Sequence, residues 1–128
     1  MAKATVYLVD DNRAFRSSTQ WLLFGLITAS VFITELMSNV ALVQIFIPVV
    51  FGIANSLGVD PLLLGMPVTI GASMAFMFPV ATPPNAIVFS SGHMKVKHMM
   101  KAGILLNIVS IILIYLASIT LVEWVYGK

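Results

Sequence analysis

Polar side chains are scarce in the apolar part of this chain, and six of them fall in two short stretches. The first reads Thr34-Glu35-Leu36-Met37-Ser38-Asn39-Val40 and the second Ala81-Thr82-Pro83-Pro84-Asn85. Their hydroxyl, amide and main-chain carbonyl oxygens are hard, neutral donors, suited to holding an alkali cation and releasing it again. A helix that begins beside such a stretch directs free N–H groups and partial positive charge towards it, which suits an anion. Both chemistries are reversible binding, and no residue is assigned a catalytic role; the chain does not read as an enzyme. It contains no cysteine, so thiolate chemistry and a disulfide framework are both absent. His93 and His98 have no carboxylate beside them, which is a weak pattern for a metal site. They read instead as titratable side chains at an interface.

The elements that would position these oxygens follow from the prolines. Pro79, Pro83 and Pro84 cannot all sit in one continuous helix, because each lacks a backbone N–H and crowds the turn before it. The chain is expected to leave helical geometry around Ala81 and Thr82. Lipid cannot satisfy carbonyls freed there, so such a break survives only against protein or a water-filled cavity. A discontinuous helix at a ligand site follows this logic; a proline-kinked span without a ligand is the alternative. Upstream, two apolar arms flank the polar stretch at 34–40, one from Trp21 and one from Val40 to Leu57. The first is shorter than the ~20 residues of a full crossing. The pattern predicts a re-entrant helical hairpin with its tip at 34–40, the alternative being two ordinary spans joined by polar packing. Asp60-Pro61 is a helix start, with Asp as N-cap and Pro at the first position. That helix is expected to run on to the prolines. Residues 103–126 read as a full crossing, with Trp124 and Tyr126 at its far interface and Asn107 and Ser110 bonding between helices.

Residues 72–88, ASMAFMFPVATPPNAIV, resemble the sodium:sulfate symporter signature position by position. Ser73, Phe76, Pro79, Val80, Ala81, Asn85, Ile87 and Val88 all fall at its required places. From Trp21 onward the chain is therefore similar to the C-terminal portion of the divalent anion:sodium symporters, a family of citrate, dicarboxylate and sulfate carriers. The resemblance implies an all-α integral membrane fold: a re-entrant hairpin, one discontinuous transmembrane helix and a C-terminal transmembrane helix, together part of a two-repeat transporter. It implies that Ser38 and Asn39 serve both substrate and sodium, and that Thr34, Met37 and Ala81 serve sodium. Thr82, Pro83, Pro84 and Asn85 would line the substrate side of the break. No cofactor is implied beyond sodium as coupling ion. The implied partners are a divalent organic or inorganic anion, the lipid bilayer, and a first repeat or homodimer partner. The family's hairpin motif is Ser-Asn-Thr, and its Thr is Val40 here, which touches dicarboxylate recognition more than sodium binding. Glu35 is costly at membrane depth and is expected to support the tip through hydrogen bonds. The function implied is the C-terminal part of a carrier coupling sodium entry to anion uptake, not competent alone. A non-transporting relic or composite membrane protein, or a truncated response-regulator fusion, is the alternative.

Composition sets the class independently. Of the residues, 59% are hydrophobic and 9% charged, with a mean hydropathy of +1.01; a soluble domain carries about 25% charge. The chain reads as integral to a membrane, multi-pass, in the plasma (inner) membrane. A net charge of +2 is too small to argue for nucleic acid. Lys95, Lys97 and Lys101 are expected in a short cytoplasmic loop, which places the C-terminus outside.

Residues 1–20 differ in character. TVYLV followed by Asp10 and Asp11 reads as a buried strand ending in paired acids, and resembles the opening of a response-regulator receiver domain. In that family the acids help hold magnesium beside a phosphoacceptor on a later strand, which does not follow here. A polar N-terminal tail is the alternative. Arg13 and Arg16 would fall on the outer side of the membrane, against the positive-inside rule. Residues 1–20 are therefore read apart from 21–128, and the chain as a composite or truncated reading frame.

Overall fold

The computed structural model describes residues 13–126. Within them the regular structure is helical, with no strand: α1 Arg13–Ile33, α2 Asn39–Leu57, α3 Pro61–Gly71, α4 Pro83–Ser90 and α5 Val96–Tyr126. The receiver-like strand at 5–9, with Asp10 and Asp11, lies outside the described residues.

Helix α1 runs unbroken through Trp21, where the sequence changes character. Its apolar part, Ser17–Ile33, remains shorter than a crossing. Leu23, Ile27 and Val31 recur every four residues and form its buried face. The helix tightens at its end, with the Glu35 and Leu36 N–H groups donating to the Phe32 and Ile33 carbonyls three residues back. Ser38 then caps α2, its hydroxyl accepting from the Ala41 N–H.

Between α2 and α3 the chain turns by local means. Gly58 takes the left-handed conformation at φ 71°, donating to the Asn55 carbonyl, while the Val59 N–H reaches the Ala54 carbonyl. These two bonds close the helix end, and Val59 folds back into the core. Asp60 caps α3 as expected, its carboxylate accepting from the Leu62 N–H at 2.9 Å, with Pro61 at the first helical position.

The short helix α3 is the centre of the assembly and packs against α1, α2 and α5. It buries Leu63, Leu64, Gly65, Pro67, Val68 and Gly71, and so has no polar face. Leu64 and Val68 join Ile27 and Val31 of α1, Val50 and Ala54 of α2, and Ile111 and Ile114 of α5 in one core.

Two sequence expectations are corrected. Helix α3 stops at Gly71, so the interruption spans residues 72–82 and is not confined to the neighbourhood of Ala81 and Thr82. The prolines set only its far end. Its near end is set by Glu35, which captures the N–H groups of Phe76, Met77 and Phe78; a continuing helix would need those groups for carbonyls four residues back. Lys97 and Lys101 also lie in the first turns of α5 and not in a loop. Nothing between Val96 and Gly103 breaks a helix, and the Lys95 carbonyl already accepts from the His98 and Met99 N–H groups. At 31 residues, α5 extends roughly 46 Å. That exceeds the ~30 Å of a hydrocarbon core, so its basic first turns can stand clear of the apolar layer.

Helix α2 and residues Val96–Leu121 of α5 are each long and apolar enough to cross a membrane. Their outward side chains, such as Ile45, Val49, Leu105, Leu113 and Leu116, are exposed in this chain.

Candidate functional site

The turn between α1 and α2 and the broken segment meet in a buried seam. Thr34 is fully buried, and its hydroxyl oxygen lies 2.6 Å from the Ala72 carbonyl oxygen and 2.7 Å from the Asn39 side-chain amide. A hydroxyl has one proton, so Thr34 donates to one of these two oxygens, the Ala72 carbonyl or Asn39 Oδ1.

One residue further, Glu35 is 2% exposed. Its Oε1 accepts from the Phe76 N–H at 2.8 Å, the Met77 N–H at 3.1 Å and the Asn107 Nδ2 at 2.7 Å. Its Oε2 accepts from Met77 at 3.0 Å and Phe78 at 3.2 Å. Three consecutive main-chain donors thus converge on one carboxylate, supplying the compensation that a buried charge requires. From the other side, the Asn85 side chain donates to the carbonyls of Ala75 at 2.9 Å and Phe78 at 3.1 Å. Backbone that lipid could not satisfy is thereby satisfied by side chains from the turn after α1 and from α4.

Of the residues singled out in the sequence, Thr34 and Asn39 touch each other, and Thr34 touches the start of the break. Asn85 is half-buried and tied to the broken segment. Thr82 caps α4, its hydroxyl accepting from the Asn85 N–H at 3.5 Å. Ala81 is buried in a turn, donating to the Phe78 carbonyl at 3.2 Å. Ser38 is exposed and spends its hydroxyl on the α2 cap, Met37 is half-buried beside it, and Pro83 and Pro84 are exposed in the first turn of α4. Among the described residues no hydrogen bond joins Ser38 or Asn39 directly to Thr82 or Asn85; the 72–78 segment connects the two groups. Val40, where the family motif has Thr, is 68% exposed.

Sequence reasoning missed the backbone of Ala72, Ala75 and Phe76–Phe78 and the approach of Gly103; the bonding between helices expected of Asn107 is found, with Glu35 as its partner. A Cβ on Gly103 would lie 2.5 Å from the Phe76 carbonyl oxygen and 2.6 Å from the Met77 Cα. Glycine is what lets α5 touch this backbone. Asn107 follows one turn later on the same face, and a glycine and a lone amide four residues apart in an apolar run were the available signal.

An apolar chain whose helix is interrupted beside a polar tip, with helix starts at both, has the architecture of a membrane carrier segment. The chain belongs to the family described as "Sodium:sulfate symporter transmembrane region", which matches residues 8–127. It is 50% identical over 84 residues to the Na(+)/citrate cotransporter of Mus musculus, covering 66% of this chain and 15% of that protein. It is 46% identical over 95 residues to the Na(+)/dicarboxylate cotransporter 3 of Homo sapiens, covering 74% of this chain and 16% of that protein. An uncharacterized transporter of Haemophilus influenzae is 42% identical over 116 residues, covering 89% of this chain and 24% of that protein. The chain thus spans about a seventh to a quarter of the length of these curated relatives.

Proposed function

We propose that this chain supplies the C-terminal share of a secondary active transporter that couples sodium entry to uptake of a divalent anion: a dicarboxylate, citrate or sulfate. The observation that carries this reading is the seam in which Thr34 binds both Asn39 and the Ala72 carbonyl. It brings a hairpin tip and a broken helix to one place, beside the helix starts at Asn39 and Pro83. In this reading sodium takes the Thr34 and Ser38 hydroxyls, the Asn39 amide and the carbonyls of Met37 and Ala81. The anion, drawn by the two helix starts and the neighbouring cation, meets Ser38, Asn39, Thr82, Pro83, Pro84 and Asn85. Residues 34–40 are the tip of a re-entrant hairpin, the basic start of α5 faces the cytoplasm, and the remaining half of the site comes from a first repeat or a second copy. Alone, the chain inserts but does not transport, since a site open on one side stays wet and charge–dipole attraction there is weak.

The test uses a complete carrier of the family in which residues 21–126 replace the matching segment. Sodium-dependent uptake of succinate, citrate or sulfate is expected, together with its loss in Asn85→Ala at unchanged membrane abundance. An inserted carrier without sodium-dependent uptake, or an Asn85→Ala variant that transports normally, would overturn the reading.

A further inference from the structure

We propose that Glu35 is a positioning residue that clamps the backbone of Phe76–Phe78 to the hairpin tip, with Gly103 and Asn107 of α5 backing the clamp. The proposal rests on the sodium-coupled reading above and adds to it an element that touches neither ion nor anion. Both oxygens of Glu35 are already committed, Oε1 to three donors and Oε2 to two, all between 2.7 and 3.2 Å. At 2% exposure the carboxylate has neither an open lone pair nor a path to a ligand.

What it does hold is geometry. Three successive N–H groups given to one carboxylate are not available to carbonyls four residues back, so the fan keeps the segment from continuing α3. Because Thr34 precedes Glu35 and reaches Ala72, adjacent residues of the tip hold both ends of the segment.

Asn107 supplies the second, independent observation. It is fully buried, it donates Nδ2 to Glu35, and its Oδ1 has no hydrogen-bond partner. A buried amide carbonyl left unpaired is unfavourable. An asparagine at this place in an apolar helix is therefore accounted for by the single bond it makes to Glu35. Gly103, one turn earlier, lies against the Phe76 and Met77 backbone with no room for a methyl group. The tip, the broken segment and α5 are joined at one carboxylate. A shift of α5 against α1 must carry the Phe76–Phe78 backbone with it or break the fan. Loop oxygens that must converge on one ion from both tip and break depend on that register, and loose register is lost preorganisation.

Glu35→Gln keeps the shape but removes the charge and turns an NH2 towards an N–H donor. Two measurements are made on it. The first is amide hydrogen exchange of the full chain in lipid nanodiscs. Exchange at Phe76, Met77 and Phe78 should accelerate by on the order of tenfold or more, with Val50 and Ala54 of the core unchanged. The second is the sodium concentration for half-maximal uptake in the complete carrier bearing this segment. It should rise by on the order of tenfold at equal membrane abundance, with uptake recovering at high sodium. Asn107→Leu should act in the same direction and more weakly, accelerating Phe76 and Met77 more than Phe78, since it serves only Oε1. Should Glu35→Gln fail to fold, this variant decides the clamp. Unchanged exchange at 76–78 would overturn the clamp. Faster exchange with an unchanged sodium requirement would overturn the positioning role. A wild-type carrier without sodium-dependent uptake would strike the transport reading instead, and the exchange measurement would still decide the clamp.

Discussion

Helical geometry is interrupted in two ways on either side of α3. At 58–60 the chain turns within three residues on short-range bonds: Gly58 and Val59 close α2 on Asn55 and Ala54, and Asp60 opens α3 on Leu62. At 72–82 short-range bonds are joined by remote ones. Ala72 is met by a side chain 38 residues away, Phe76–Phe78 by one 41 to 43 residues away, and that carboxylate by an amide 72 residues away. The first interruption is a hinge point of construction and would form wherever the sequence was placed. The second exists only while three elements are assembled around it. A segment whose bonds come from distant parts of the chain can open without unfolding the helices around it.

The contrast breaks most sharply at Glu35. Glu35→Leu strands three buried N–H groups, each worth about 1–3 kcal/mol. A loss of stability on the order of 3–5 kcal/mol is expected, read as a lowered thermal midpoint in detergent. A loss below about 1 kcal/mol would place the broken segment among locally closed turns.

At the short turn, the capping bond to Leu62 that Asp60→Ala removes is worth about 1 kcal/mol, the usual value of an N-cap. In the complete carrier the substitution should leave the sodium requirement unaltered. A shifted sodium requirement in that variant would mean that the turn, too, is coupled to the site.

The smallest effect is expected at Val40. If a partner group on the anion or elsewhere in the complete carrier faces this position, Val40→Thr should tighten anion binding. The gain is bounded by the ~1–3 kcal/mol that an unpaired polar group costs. Because Val40 is 68% exposed, any such partner lies outside the described residues. Unchanged anion affinity in the complete carrier would show that the side chain points elsewhere.

Much was legible before the fold was known. Apolar composition set the class, Asp60-Pro61 set a helix start, and three prolines required a break before Asn85. Each of these rests on chemistry within about four residues, the range over which a backbone hydrogen bond or a proline ring acts. The near end of the break did not lie within that range. Residues 72–78 contain no proline, and ASMAFMF is an acceptable helix by propensity. It is unwound because Glu35 competes for its amides, Thr34 for a carbonyl, and Gly103 admits a second helix against its backbone. The sequence likewise marked Glu35 and Asn107 as polar groups in apolar surroundings without pairing them. A buried carboxylate must find donors, but which donors it finds across 41 and 72 residues of chain is decided by how α1, α3 and α5 pack, and only the tertiary structure contains that.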